Sequence, residues 1–136
     1  MIHLDTSGAM TLVRPGAHSD DLSHLFSERL GLPVLSSVLI EVEPTRATRR
    51  SSPDRVTPAA DVLRGIDILT VSPSVIARAT AHTDPGLRSL DAIHLATAEH
   101  VVSVTRKDLE AFVAYDERLL AAARHAGLPV AAPGVT

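Results

Sequence analysis

Residues 112–132 read FVAYDERLLAAARHAGLPVAA, and the order of residue types there decides the kind of fold. Phe112-Val113-Ala114-Tyr115 is a short run of strand-forming character that stops at Asp116. Glu117 to Ala126 reads as a helix, with Asp116 placed to cap its start and Gly127 to close its end. Pro129-Val130-Ala131-Ala132 then supplies a last short strand. Strand, helix, strand in so few residues is the unit of a parallel sheet.

The same alternation extends toward the N-terminus. Met1 to Leu4 is apolar and ends at Asp5-Thr6-Ser7, which predicts a buried strand. Ala17 to Leu30 carries Leu22, Leu25, Phe26 and Leu30 at helical spacing, with Gly31 as its stop. Pro33 to Ser37 reads as a second strand. A helix follows from about Val38; Pro44 is best tolerated in a first turn, which moves the expected start toward Glu41. It runs through Arg46, Arg49 and Arg50 to a break at Ser51-Ser52-Pro53, and a further helix to Arg64 completes a helical hairpin. Ile66 to Val71 alternates as a strand, and Pro73 to His82 is helical. Thr83 to Gly86 is a turn, and Ser89 to His100 is a helix with Ser89 as its N-cap. The tail Pro133–Thr136 is expected to be loose. The fold class is therefore α/β, with a mostly parallel sheet and helices on both faces, in one domain spanning 1–136.

Composition narrows the function. Charged residues are 21% and hydrophobic residues 45% of 136, so the chain can bury one core. The net charge of −3 argues against broad electrostatic wrapping of nucleic acid, and 2% aromatic content argues against a base-stacking platform. There is no cysteine, which excludes disulfides and thiolate metal sites and fits a cytoplasmic protein. No signal peptide or membrane span is expected.

Asp5, Glu43 and Asp116 each fall just after, or just beyond, a short apolar strand, and Asp91 lies in the first turn of a helix. In open parallel sheets ligands bind beyond the carboxyl ends of strands, so residues far apart in sequence can converge there. A few carboxylates with waters and a substrate phosphate are the ligand set of a hard divalent cation such as Mg²⁺. Each acid alone has a plainer reading: Asp5 and Asp116 as N-caps, Asp91 as complement to a helix dipole, Glu41 and Glu43 as a solvated helix start. Grammar alone reaches an α/β domain with a possible acidic cleft.

The words around the acids carry more. Leu4-Asp5-Thr6-Ser7, Glu43-Pro44-Thr45-Arg46-Ala47, Leu87-Arg88-Ser89-Leu90-Asp91-Ala92-Ile93-His94-Leu95-Ala96-Thr97-Ala98, Tyr115-Asp116-Glu117-Arg118-Leu119 and Gly127-Leu128-Pro129-Val130 occur in that order over nearly the whole chain. In these words the chain resembles the PIN-domain ribonucleases, and among them the VapC-type toxins. The resemblance implies a three-layer α/β/α sandwich around a parallel sheet. It implies Mg²⁺- or Mn²⁺-dependent endoribonuclease activity, with Asp5, Glu43, Asp91 and Asp116 as the catalytic and metal-binding acids. Glu43 is preferred to Glu41 because Arg46 follows it by three residues, as in the family; Pro44 directly after the acid departs from the family's more usual aliphatic residue. Partners implied are an RNA substrate, a cognate antitoxin and a second copy in a homodimer, with no membrane.

The expected chemistry is metal-assisted attack of water on a phosphodiester, with no protein nucleophile. Thr6 or Ser7 is a candidate to hydrogen-bond Asp5, against the plainer reading of a helix cap. His94 is expected to be a packed residue with a backbone partner. Arg46, Arg49, Arg50 and Arg55 are candidates for the RNA backbone, against the plainer reading of an exposed or partner-facing surface. The competing classes are a catalytically inactive PIN-fold binding module and a Mg²⁺-dependent phosphatase or nuclease acting on DNA.

Overall fold

The computed structural model describes residues 1–135. Strands β1 (Ile2–Leu4), β2 (Val34–Ser37), β3 (Asp67–Leu69), β4 (Ala111–Val113) and β5 (Val130–Ala131) form one parallel sheet in the order β3-β2-β1-β4-β5. The helices are α1 (Thr6–Val13), α2 (Ser19–Glu28), α3 (Leu39–Ser51), α4 (Val56–Leu63), α5 (Pro73–Ala81), α6 (Ser89–Thr105) and α7 (Glu117–His125). A single 3₁₀ turn, Pro53–Arg55, leads into α4.

Both faces of the sheet are covered, and the pleat sorts the side chains between them. In β4 and the residue after it, Phe112 and Ala114 join Leu95, Leu119 and Ala123 of α6 and α7. Ala111 and Val113 join Ile2, Leu4, Ala9, Leu22 and Ile40 on the other face. Ile2 and Leu4 of β1 lie on that second face, so the intervening His3 points to the first, where it stacks on Phe112. This is the expected three-layer arrangement, and the sheet is parallel throughout.

The strand order reverses between β1 and β4: from β1 the chain builds outward to β2 and β3, then returns to place β4 on the other side. Leu4 and Val113 pair at the end of that central seam. Ligands of open α/β sheets bind at such a switch point, beyond the carboxyl ends of the strands. Asp5 follows β1 and Asp116 follows β4, so both stand at this edge.

Several local expectations change. Residues 6–13, given no element by pattern, form α1. Its Gly8 is a site of close approach: a Cβ there would lie 2.4 Å from Leu4 Cδ1 and 3.3 Å from the Val113 carbonyl oxygen. Helix α3 begins at Leu39, ahead of the expected start, and keeps Pro44 inside. Ile40, Pro44 and Thr48 are its buried stripe, so the proline ring packs inward where its lost hydrogen bond is offset by burial. Helix α2 stops at Glu28, and Leu30 is 86% exposed, outside the stripe assigned to it. Helix α6 runs on to Thr105 through Val101, which is buried, and Val102, which packs against the α6–α7 core, so burial overrides their β-branched character. Arg88, and not Ser89, is its N-cap. The tail is tied down through Val135: Tyr115 Oη donates to the Pro133 carbonyl at 3.1 Å, and Val135 N–H to the Ala132 carbonyl at 3.0 Å. The expectation for Thr136 lies outside the described residues.

Candidate active site

Asp5 leaves β1 in extended conformation and caps α1, accepting from Gly8 N–H at 2.8 Å through Oδ1. Ser7 Oγ donates to the same oxygen at 2.7 Å and accepts the Tyr115 N–H at 2.8 Å, which ties the ends of β1 and β4 together. The cap reading and the Ser7 reading of the sequence are therefore both realised. Asp116 repeats the device on α7, with Oδ1 accepting from Arg118 N–H at 2.9 Å and Leu119 N–H at 3.1 Å. Asp91 enters from the first turn of α6 and Glu43 from α3. All four acids line one cleft of about 330 Å³, and among the described residues Arg88 is the only basic one lining it.

The geometry separates the two glutamates. They are two residues apart on α3, about 200° around a helix. Glu43 faces the acid cleft, whereas Glu41 lines a separate groove with Thr45, Leu63 and Arg64. Glu43 Oε2 is held by the Thr6 hydroxyl, which donates to it, and lies 3.2 Å from His94 Nε2. His94 Nε2 is also 3.0 Å from Thr6 Oγ1. His94 is buried as expected, but its partners are a carboxylate and a hydroxyl, not a backbone group. Such a partner has no sequence signal, because α6 and α3 are brought together only by the sheet.

Electrostatics distinguish the acids. Burial pushes the Asp5 carboxyl up, against the opposing bonds from Gly8 and Ser7 and the charge of His94. At Glu43 burial also pushes upward, but bonds from His94 and Thr6, with the charges of His94 and Arg88, outweigh it and leave the carboxyl below its ordinary value. Arg88 Nε donates to Asp91 Oδ2 at 2.8 Å, and its NH2 to Asp116 Oδ2 at 3.4 Å.

Curated relatives match nearly the whole length of the chain. Ribonuclease VapC35 of Mycobacterium tuberculosis is 42% identical over 134 residues, covering 98% of each chain. The chain belongs to the VapC family of ribonucleases. Ribonucleases VapC47 and VapC46 of the same species are 36% and 33% identical, over 98% and 97% of each chain. No protein-family model matches. Among solved structures, a toxin–antitoxin complex from Klebsiella pneumoniae superposes with a TM-score of 0.68 over 98% of each chain, at 18% identity. The sarcin–ricin-loop-cleaving toxin VapC20 of M. tuberculosis superposes with 0.69, over 90% of this chain and 95% of that one, also at 18% identity. These two likenesses show that the fold is shared with both solved structures.

The VapC frame also shows what the sequence reading missed. Arg46, Arg49, Arg50 and Arg55 are exposed, and none of them lines the acid cleft. The arginine at the cleft is Arg88. The donor set suits a hard cation, since every candidate ligand is a carboxylate oxygen and the most buried one, Asp5, is 3% exposed. Among the described residues no three acids or histidines are gathered tightly enough to hold an ion unaided. Among the described residues no helix is long and apolar enough to cross a membrane.

Proposed function

We propose that this VapC chain is an Mg²⁺- or Mn²⁺-dependent endoribonuclease, the toxin of a type II toxin–antitoxin pair, built as one PIN-like unit over residues 1–136. The observation that carries the reading is the convergence of Asp5, Glu43, Asp91 and Asp116, from four separate elements, on one cleft at the switch point of the sheet.

Asp5, Asp91 and Asp116, with Glu43, would hold the cation. When bound, it supplies Lewis-acid activation of water and neutralises charge developing on the phosphate. Asp5 is fixed by two bonds on Oδ1, which leaves Oδ2 for the cleft. Asp116 is fixed the same way by α7. Thr6 and His94 hold Glu43 ionised and aimed. These fixed carboxylates orient the site without reorganisation during reaction, the condition for strong electrostatic catalysis.

The cytoplasm is the compartment where such a toxin meets RNA, and a chain free of cysteine suits it. The proposed protein partners are a cognate antitoxin and a second copy of the chain. Support comes from exposed Val42 and Val62 on the helical hairpin and from the groove beside Leu63, Ile66 and Ile68.

The test is incubation of the purified, antitoxin-free chain with total RNA and with DNA, in Mg²⁺ or EDTA, beside Asp5→Ala. Discrete RNA cleavage that needs both Mg²⁺ and Asp5 is expected. Folded protein that leaves RNA intact would transfer the site to DNA, if DNA is cut, or to an inactive binding module, if it is not.

A further inference from the structure

Arg88 stands at the start of α6 and turns its side chain onto two acids of the cleft. It is the N-cap of α6, extended at φ −74° and ψ 156°, and makes no side-chain cap bond. Helices α1, α5 and α7 are capped by Asp5, Ser72 and Asp116, each accepting a backbone N–H, whereas α2, α3 and α4 follow His18, Val38 and Arg55, which make no side-chain cap bond. An arginine offers no acceptor, and a cation at a helix N-terminus opposes the helix dipole. The side chain instead crosses the acid cleft and binds Oδ2 of both Asp91 and Asp116. On Asp116, Oδ1 is already engaged by α7, so Arg88 sits on the oxygen left for the cleft. Glu43 feels its charge as well.

Exposure orders the groups. The Arg88 side chain is 66% exposed, while those of Asp91 and Asp116 are 15% and 27% exposed. The guanidinium is thus the outermost member of the cluster, spanning the mouth. It cannot shed its proton. A divalent cation on the same oxygens would be repelled by it at close range. Being mostly solvated, the side chain can swing away at small cost.

We propose that Arg88 is an exchangeable counter-ion: it neutralises Asp91 and Asp116 when the cleft holds no cation, and a divalent cation displaces it from them. The residue thereby lowers the affinity of the cleft for metal and keeps the metal-free toxin folded around its acids. This rests on the reading of the four acids as the metal site.

The test needs no turnover. Mn²⁺ binding is measured by calorimetry on metal-free wild type, Arg88→Ala, Arg88→Lys, Arg88→Ser and Asp91→Asn, with a thermal melt of each. Arg88→Ala should bind Mn²⁺ on the order of tenfold more tightly, since one positive charge near a doubly charged ion is removed. Arg88→Ser should do the same with a better-capped α6, which keeps the test open if the alanine variant unfolds. Arg88→Lys should remain near wild type. Saturating Mn²⁺ should raise the melting temperature more in Arg88→Ala than in wild type. Equal or weaker Mn²⁺ binding in both neutral variants would overturn the exchange while leaving the metal site intact. If neither wild type nor the Arg88 variants bind Mn²⁺, or if Asp91→Asn binds it as wild type does, the metal-site reading fails, and the exchange with it.

Discussion

Asp5 and Asp116 perform the same task at the ends of two adjacent parallel strands: each caps the following helix with Oδ1 and keeps Oδ2 for the cleft. Capping and cation binding are thus divided between two oxygens of one carboxylate. Asparagine caps as well as aspartate but carries no charge. Asp116→Asn should therefore hold stability within about 0.5 kcal/mol of wild type while losing most RNA cleavage. Asp116→Ala should lose the same activity and about 1 kcal/mol of stability besides. Urea unfolding beside a cleavage assay separates the two effects.

The two glutamates of α3 should behave as differently as their positions. Glu43→Gln loses a charge at the cleft and should reduce cleavage on the order of 100-fold or more. Glu41→Gln alters a separate groove and should leave the rate within about twofold. Equal losses from the two variants would contradict the assignment.

His3 is buried with neither ring nitrogen hydrogen-bonded, stacked on Phe112 and edge-on to His94. Burial, with a smaller contribution from the charge of His94, holds its pKa well below the ordinary 6.5. The unfolded chain then takes up the proton first. Stability from the neutral His3 is complete above pH 6.5 and falls, as pH drops toward the folded value, by up to about 1.4 kcal/mol per pH unit. His3→Leu should flatten this part of the profile. At pH 7 it should also stabilise the protein by about 1 kcal/mol, because two unpartnered polar atoms are removed. Unfolding free energies of both proteins across pH 5 to 8, compared as a difference, check the expectation.

Arg106 closes α6 in the left-handed region, at φ 57°. This conformation costs a non-glycine residue about 1 kcal/mol or more. Arg106→Gly should raise the melting temperature by a few degrees without changing cleavage. A lower melting temperature would mean that the arginine side chain contributes more than its backbone costs.

The elements that sequence makes legible are those whose signals are local. The run from Phe112 to Ala132 carries its strand, cap, helix and stop in its own residues, and the structure follows it closely. At its end, Gly127 at φ 80° and the bond from Leu128 N–H to the Ala123 carbonyl complete the helix stop. What escapes is set by tertiary contact. Helix α1 opens with Thr6, Ser7 and Gly8, weak helix formers that hold because Asp5 caps them and Gly8 packs closely on Leu4. Pro44 discourages a helix until its ring is seen to lie on the buried stripe with Ile40 and Thr48. The acids are legible only through the words around them, since spacing alone does not bring Glu43 of α3 to Asp91 of α6. The Arg88–Asp116 bond and the Thr6–Glu43–His94 contacts have no local pattern, because each joins residues from different elements.

The most direct test of the central claim is the chemistry of the product ends. The purified protein is incubated with a defined RNA and Mg²⁺ in ¹⁸O-enriched water, beside Asp5→Asn, and the fragments are weighed by mass spectrometry. Water-driven hydrolysis at the acid cleft is expected to give terminal phosphate monoesters carrying one solvent oxygen, no 2′,3′-cyclic phosphate, and no fragments from Asp5→Asn. Cyclic phosphate ends, or fragments that persist without the Asp5 carboxylate, would contradict it.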